Sequence, residues 1–198
     1  MTLPWSQIIA ENIWWICALI FMGIRLPHIR RAGREPASHS EPPATDWILL
    51  RLGEIAFGVL PVVYILFKVP QFANYAWFPP FVVIGTLTFL VGIWMIFRAH
   101  KDLGRSFSYT LEIRDRQQLV DSGIYRHIRH PMYAAFLVWT IAQAMLLPNW
   151  IVGICAPLVL ATLLAVRIPR EEAMMLRTFG DGYKDYMSRT ARFIPGVF

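Results

Sequence analysis

The hydrophobic residues of this chain gather in five long blocks, which are separated by polar and charged stretches. Each block approaches the length of about 20 residues that a helix needs to cross a bilayer. The pattern predicts an all-α integral membrane protein with about five transmembrane helices. The predicted spans are Ile8 to Leu26, Trp47 to Phe67, Pro79 to Phe97, Pro131 to Leu147, and Trp150 to Ile168.

A very short connection, Pro148-Asn149, joins the fourth and fifth blocks. A linker of this length makes neighbouring helices run antiparallel, so we predict a tight helical hairpin. If the turn centres on this linker, residues at equal distances from it share one depth. His130 is then level with Arg167, and Arg126 is level with Glu171.

Beyond the fifth block, apolar residues recur at spacings of three and four, with charges opposite them. This pattern predicts an amphipathic segment on the cytoplasmic interface, interrupted near Gly180 and Gly182. Its apolar stripe consists of Met175, Leu176, Phe179, Tyr183, Tyr186 and Met187.

Lys and Arg residues fall on alternate connections between the predicted spans. Five lie in residues 25–51, seven in 98–129 and six in 167–192, whereas the opposite side of the membrane receives Lys68. Because basic residues favour the cytoplasmic side, the N-terminus is predicted outside and the C-terminus in the cytoplasm. No Lys or Arg precedes the first block, so we expect it to be retained rather than cleaved as a signal peptide.

The composition supports a membrane protein of one domain, residues 1–198. Hydrophobic residues make up 56% of the chain and charged residues 16%. The net charge of +6 is divided among separate connections, so membrane topology explains it better than nucleic-acid binding. Cys17 and Cys155 each lie inside an apolar block, and the His spacing suits no zinc motif, so neither a disulfide nor a metal site is predicted.

The segment Gly123 to Tyr133, GIYRHIRHPMY, places a basic and aromatic cluster directly before the fourth block. Pro131 suits the first turn of a helix, whose free N–H groups favour an anion. Arg167 and Glu171 are four residues apart, so they share one helix face and can form an ion pair. The hairpin brings both groups together in a pocket of Tyr125, His130, Tyr133, Arg167, Glu171 and Glu172, at the level of the lipid headgroups.

Each of these residues also has a simpler interpretation. The arginines can be ordinary positive-inside residues, the histidine a helix cap, and the acids a solvated face. The chain has no GxSxG, GxGxxG or P-loop motif, so a cofactor bound here lacks the usual phosphate-binding glycines. The simpler interpretations apply to Arg126, Arg129, Arg170, His130, Glu171 and Glu172.

Several motifs follow one another in this chain in a distinctive order and at distinctive separations, above all RHPxY followed by RxxxEE. They are LGRSFS (Leu103 to Ser108), QQLVDSGIYRHIRHPMY (Gln117 to Tyr133), RIPREE (Arg167 to Glu172), FGDGYKDY (Phe179 to Tyr186) and RFIPG (Arg192 to Gly196). Through these motifs the C-terminal half resembles the isoprenylcysteine carboxyl methyltransferase family, which is related to the phospholipid methyltransferases.

The resemblance implies an S-adenosylmethionine-dependent methyltransferase with a lipid-like acceptor, most simply the carboxylate of an isoprenylcysteine. It implies a cofactor-binding region in residues 103–133 and 167–196, catalytic roles for Arg167 and Glu171, and a substrate-binding role for Arg167. The implied cofactor-binding residues are Gln117, Gln118, Leu119, Val120, Tyr125, His130, Pro131, Met132, Tyr133 and Glu171.

Two departures from the family pattern leave the acceptor open. Gln117 stands where His is frequent, and Ala134 and Ala135 stand where a Gly is frequent. A phospholipid amine, a small thiol or an isoprenoid acid are further acceptors, and an amine or thiol needs a general base that the sequence does not identify.

Two other classes also stay open: a membrane reductase of the sterol reductase type with a nicotinamide cofactor, and a non-enzymatic lipid-binding membrane protein. We expect the protein in a bacterial cytoplasmic membrane, with its active site on the cytoplasmic side. The sequence does not indicate an oligomeric state.

Overall fold

The structure, a computed structural model, describes residues 4–34, 44–76, 78–108 and 118–196. These residues form helices and no β-strand. A π-helical turn, Ile55–Val59, joins the second helix to the third, and a short 3-10 turn, Gly123–Arg126, precedes the fifth. The helices are α1 (Pro4–Ala32), α2 (Ala44–Glu54), α3 (Leu60–Phe67), α4 (Pro80–Leu103), α5 (Pro131–Leu146), α6 (Trp150–Phe179) and α7 (Asp181–Arg189).

The predicted all-α integral membrane fold is confirmed, although one of the five predicted spans is short. Helix α5 has 16 residues, so at 1.5 Å per residue it is about 24 Å long. Four helical stretches of the described chain are long and apolar enough to cross a membrane: Trp5–Ala32, Thr45–Phe67, Pro80–Leu103 and Trp150–Phe179. The predicted direction of insertion stays a prediction.

Helix α6 continues well beyond Ile168, where the predicted span ended, and reaches Phe179. Polar residues can extend a helix beyond its apolar part. The RIPREE motif therefore lies on α6, because this helix continues through it. The helix ends at Gly180, whose φ of 54° suits glycine, as the predicted interruption required. Gly182 lies inside α7 and interrupts nothing.

The apolar stripe predicted to lie on the membrane interface is wrong for two of its members. Tyr183 and Tyr186, on α7, are each 2% exposed and therefore face the protein interior. The Tyr186 hydroxyl donates to the backbone carbonyl of Tyr125 at 2.7 Å. Spacing alone detected one buried face, but it could not tell a lipid surface from a protein surface.

The bundle core forms where α4 and α5 pack together and α1 closes over them. A Cβ atom at Gly85 of α4 would lie 3.0 Å from Cγ of Leu146 on α5, so glycine lets these two helices approach closely. Phe21 of α1 packs edge-on against Trp139 of α5, with ring centroids 4.4 Å apart. This core fixes α5, whose first turn carries the candidate site.

The predicted α5–α6 hairpin is present, and Asn149 organises its turn. Its Oδ1 accepts from the backbone N–H groups of Ile151 (3.1 Å) and Val152 (3.3 Å) at the start of α6. Its Nδ2 donates to the Pro70 carbonyl and to Asn74 Oδ1, each at 2.8 Å. One buried side chain therefore caps α6 and anchors the turn to the segment after α3.

The predicted hairpin register holds next to the turn: Ala144 and Gly153 lie at equal distances from the linker, and a Cβ added at Gly153 would lie 3.3 Å from the Cβ of Ala144. At the far end, His130 contacts Glu171 and Glu172, which lie four and five positions beyond the residue predicted at its level. Helical side chains lean toward the helix N-terminus, so the two glutamates reach back toward that level.

Candidate active site

Helix α5 begins at Pro131, as predicted, and His130 is its N-cap residue. The His130 side chain makes no capping hydrogen bond, so the helix-cap interpretation of this side chain is wrong. The backbone before the helix pairs with the C-terminal segment instead. The N–H of Arg129 donates to the Ala191 carbonyl at 2.8 Å, and that of His130 donates to the Arg192 carbonyl at 3.0 Å.

Glu172 is the centre of a buried ion-pair cluster. Its Oε1 accepts from Arg129 Nε (3.3 Å) and Arg192 Nε (3.2 Å), and its Oε2 accepts from Arg192 Nη2 (2.7 Å). His130 Nε2 lies 3.3 Å from the same Oε1. The hydrogen bonds to Glu172 raise the pKa of Arg192. Glu172 thus ties the start of α5 to α6 and the C-terminal segment, and the solvated-face interpretation is wrong for it.

Glu171 faces another way and makes fewer contacts. Its Oε2 accepts a hydrogen bond from the Tyr133 hydroxyl at 2.9 Å, and its Oε1 lies 3.8 Å from His130 Nδ1. The Glu171 side chain is 30% exposed and lines a cavity, whereas that of Glu172 is 6% exposed. Of the two adjacent acids, Glu171 lines the cavity and Glu172 does not.

Tyr125 lines the same cavity as Glu171 and Tyr133. It lies on the 3-10 turn Gly123–Arg126 and is 7% exposed. Burial, with a smaller contribution from Glu171, raises the pKa of Tyr125 well above its ordinary value, so its hydroxyl stays protonated at neutral pH. Asp102 Oδ2 accepts from the Ile124 N–H at 2.7 Å and so holds this turn against α4.

These side chains surround one end of a cavity of about 520 Å³. The residues that the resemblance implies for cofactor and substrate binding all line it within the described part of the chain, although their roles stay predictions, whereas Glu172, predicted in the same pocket, does not line it. Gln117 lies outside the described residues. The predicted residues on the cavity wall are Gln118, Leu119, Val120, Tyr125, His130, Pro131, Met132, Tyr133, Arg167 and Glu171.

The rest of the cavity is an apolar limb between α1 on one side and α2 with the π-helical turn on the other. Phe57, Phe136 and Leu163 are among its walls. Leu19 and Met22, on the membrane-spanning helix α1, line the cavity and are 65% and 45% exposed. The cavity therefore opens sideways, where a membrane protein meets lipid.

The arginines of the segments Gly123 to Tyr133 and Arg167 to Glu172 have different surroundings. Arg167 is buried on α6 and lines the cavity. Arg126 is exposed, as an ordinary positive-inside residue would be. Arg129 is not such a residue, because its side chain is buried in the Glu172 cluster. Arg170 pairs with the buried Asp46 at 2.8 Å and so links α6 to α2. The predicted Arg167–Glu171 ion pair stays a prediction.

Sequence reasoning missed three contributors to this site: Arg25, Asp102 and Arg192. Arg25 lines the cavity from α1. It lies inside the first predicted span, and a charged residue within a span is a signal of function that was available. Asp102 acts through a contact distant in sequence, for which no local pattern exists. Arg192 begins the RFIPG motif, but the motif does not indicate its contact with Glu172.

Comparisons with known proteins agree with the motifs. The family model described as the Isoprenylcysteine carboxyl methyltransferase (ICMT) family matches residues 83–177. The chain is 36% identical over 96 residues to protein-S-isoprenylcysteine O-methyltransferase B of Arabidopsis thaliana, covering 48% of this chain and 49% of that protein. It is 31% identical over 130 residues to a probable protein-S-isoprenylcysteine O-methyltransferase of Oryza sativa subsp. indica, covering 65% and 66%. The chain thus spans between about half and two thirds of these relatives' length.

The fold is similar to that of a solved structure of the eukaryotic intramembrane Ras methyltransferase ICMT. The two superpose with a TM-score of 0.54 over 97% of this chain and 98% of the other, at 18% sequence identity. At this identity the superposition establishes a shared fold.

Proposed function

The resemblance of this chain to the isoprenylcysteine carboxyl methyltransferase family is confirmed, and from that premise we propose that it is an S-adenosylmethionine-dependent membrane methyltransferase. The proposed acceptor is the carboxylate of an isoprenylcysteine or a similar lipid. One observation carries the proposal: a single cavity joins a carboxylate- and tyrosine-lined end to an apolar limb that opens sideways. A water-soluble donor and a membrane-bound acceptor can meet only in a cavity of this kind.

The residues at the polar end fit the proposed donor. The Glu171 carboxylate faces the cavity and can neutralise an ammonium group, while Tyr133 orients it through a 2.9 Å hydrogen bond. The start of α5 at Pro131 offers unpaired N–H groups to a carboxylate. The ring faces of Tyr125 and Tyr133 can stabilise a sulfonium by cation–π attraction. When bound, S-adenosylmethionine supplies an activated methyl group.

Arg167 is proposed to orient the acceptor. A guanidinium can hold a carboxylate through two parallel hydrogen bonds, which fixes the attacking oxygen. A carboxylate is already ionised at neutral pH, so it needs no general base. Methyl transfer is an in-line displacement, so the principal contribution of these residues is alignment.

The proposed geometry assigns a side of entry to each substrate. The acceptor's hydrocarbon chain enters from the lipid between α1 and α2, past Leu19 and Met22. The donor enters at the polar end, which the positive-inside pattern assigns to the cytoplasm. Residues 103–133 and 167–196 are the proposed cofactor-binding region. The chain is an integral membrane protein, and its location in a bacterial cytoplasmic membrane stays a prediction.

The alternatives are less well supported. The family match favours a methyltransferase over a nicotinamide-dependent membrane reductase. A non-enzymatic lipid-binding protein would have no need of the ionisable side chains His130, Arg167 and Glu171 around the cavity. The apolar limb by itself suits both a methyltransferase and a lipid-binding protein, so the polar end decides between them.

Calorimetric titration of the detergent-solubilised protein with S-adenosylhomocysteine tests the proposal. We expect saturable binding, and we expect transfer of a radiolabelled methyl group to an S-farnesylcysteine acid but not to its carboxamide. Folded protein that binds no S-adenosylhomocysteine would rule out the proposed donor. Binding without transfer to any prenylated acid would retain the donor site and reject the acceptor.

A further inference from the structure

Two arginines line the cavity from different helices. Arg167 lies on α6, and Arg25 lies on α1. The proposed function gives a role to Arg167 alone. Arg25 belongs to none of the motifs shared with the family.

The position of Arg25 is defined by aromatic contacts. Its guanidinium carbon lies 5.0 Å from the ring centroid of Phe136 and 5.9 Å from that of Phe107, both of which also line the cavity. Contact with aromatic faces holds a planar guanidinium in one orientation. Phe136 lies three residues after Tyr133 on α5 and therefore shares its face of the helix. Arg25 thus faces the side of α5 that carries Tyr133.

Among the described residues of the cavity wall, arginines outnumber carboxylates, so the wall favours an anion. Arg129 pairs with Glu172, and Glu54 is an exposed residue that pairs with Arg51 at 2.6 Å. In the described part of the chain, the Arg and Glu side chains on the wall are Arg25, Glu54, Arg129, Arg167 and Glu171. A guanidinium in a partly desolvated cavity interacts with an anion more strongly than it would in water.

We propose that Arg25 is a second carboxylate-binding residue of the cavity and acts on the bound ligand from a different helix than Arg167. This inference rests on the proposed function and deepens it. The carboxylate has two possible sources: the acceptor, or the methionine part of the donor. Both sources present the same group, a carboxylate. Separate measurements of donor and acceptor affinity distinguish them.

The test compares Arg25→Gln and Arg25→Lys with the control Arg30→Gln, because Arg30 is an exposed residue of the same helix. Calorimetry measures the affinities of S-adenosylhomocysteine, of an N-acetylated S-farnesylcysteine and of its carboxamide. We expect the wild type to prefer the acid over the amide by roughly tenfold or more. Arg25→Gln should reduce that preference severalfold, Arg25→Lys should reduce it less, and Arg30→Gln should retain it.

The two sources give different results. A reduced acid preference with unchanged affinity for S-adenosylhomocysteine identifies the acceptor carboxylate. A roughly tenfold loss of S-adenosylhomocysteine affinity with an unchanged acid preference identifies the donor carboxylate. Folded Arg25→Gln protein with both affinities within about twofold of the wild type overturns the inference.

Protein quality and the proposed function are controlled separately. If Arg25→Gln does not fold, Arg25→Lys decides, and wild-type values in that variant also overturn the inference. The inference is also overturned if the wild type binds acid and amide equally and Arg25→Lys leaves the S-adenosylhomocysteine affinity unchanged. A wild type that prefers the acid but binds no S-adenosylhomocysteine rejects the proposed function while retaining the carboxylate site.

Discussion

The Tyr133 hydroxyl donates a 2.9 Å hydrogen bond to Oε2 of Glu171, which joins the first turn of α5 to α6 at the polar end of the cavity. The neighbouring Glu172 belongs to a different set of contacts, with Arg129 and Arg192. Two adjacent carboxylates of one motif therefore separate into one that faces the cavity and one that holds the structure together.

This separation predicts opposite effects for two isosteric substitutions. Glu171→Gln should weaken S-adenosylhomocysteine binding by about ten- to a hundredfold, because a buried charge-assisted contact with an ammonium is lost. Its thermal unfolding should change little. Glu172→Gln should lower the free energy of unfolding by about 3–5 kcal/mol, because it leaves the buried Arg129 guanidinium without its carboxylate.

Calorimetry and thermal unfolding in detergent measure both quantities on each variant, so each serves as the control for the other. Equal loss of donor affinity in two equally stable variants would contradict the assignment of Glu171 to the cavity and Glu172 to the scaffold.

Tyr133→Phe should weaken S-adenosylhomocysteine binding by roughly three- to tenfold, because the Glu171 carboxylate loses the hydrogen bond that orients it. Tyr75→Phe is the matched control. Tyr75 donates its hydroxyl to the Ala144 carbonyl near the α5–α6 turn, at the opposite end of α5. Calorimetry should find wild-type donor affinity in Tyr75→Phe, and a similar loss in both variants would exclude an orienting role for Tyr133.

Gly123→Ala should destabilise the turn that carries Tyr125. Gly123 has a φ of 62°, and an added Cβ would lie 2.1 Å from Asp102 Oδ2. The backbone conformation alone costs an alanine about 1–2 kcal/mol, and Asp102 must also move away from the Ile124 N–H. We expect lower thermal stability together with weaker donor binding.

Gly182→Ala is the matched control for this substitution, because no atom lies within 4 Å of its added Cβ and Gly182 is helical. It should leave stability unchanged or raise it by up to about 1 kcal/mol. Full donor affinity in Gly123→Ala would show that the turn does not position the site.

The protein should lose stability in alkaline solution. Burial raises the pKa of Tyr125, Tyr183 and Tyr186 above the ordinary value of 10.0. Above about pH 10 the unfolded chain releases these protons while the folded chain retains them, so the free energy of unfolding falls as pH rises. Each group contributes up to about 1.4 kcal/mol per pH unit above that value.

Thermal unfolding between about pH 8 and about pH 11 measures this effect, and Tyr183→Phe should make the decline shallower by one group. A stability that stays constant across this range would contradict the buried, protonated state of these hydroxyls.

The sequence predicted the parts of the site that depend on local chemistry. Pro131 marks the first turn of α5 because its missing N–H costs nothing there. The short linker before Trp150 brought the two motifs together as a hairpin. Sequence could not tell which of Glu171 and Glu172 faces the cavity, because consecutive helical residues point about 100° apart and the rotation of α6 depends on its packing.

Other features depend on contacts between distant parts of the chain. Arg192 reaches Glu172 across 20 positions, in a segment whose sequence shows no element. His130 contacts Glu171 and Glu172 rather than the residue predicted at its level, because the direction of these side chains depends on how α5 and α6 pack. Tertiary packing therefore decided what local pattern left open.

Lateral entry of the acceptor predicts a size effect at Gly58. Gly58 follows Phe57 in the π-helical turn and lines the apolar limb, and no atom lies within 4 Å of its added Cβ, so a larger side chain there occupies cavity space rather than displacing packed atoms. Gly58→Leu should raise the KM for a farnesylated acceptor by roughly tenfold and leave S-adenosylhomocysteine affinity unchanged.

Gly23→Leu is the control, because Gly23 has the same open surroundings on the exposed surface of α1. An unchanged KM in folded Gly58→Leu would mean that the acceptor chain does not use the limb between α1 and α2, whereas a loss of donor affinity would place the donor deeper than the polar end.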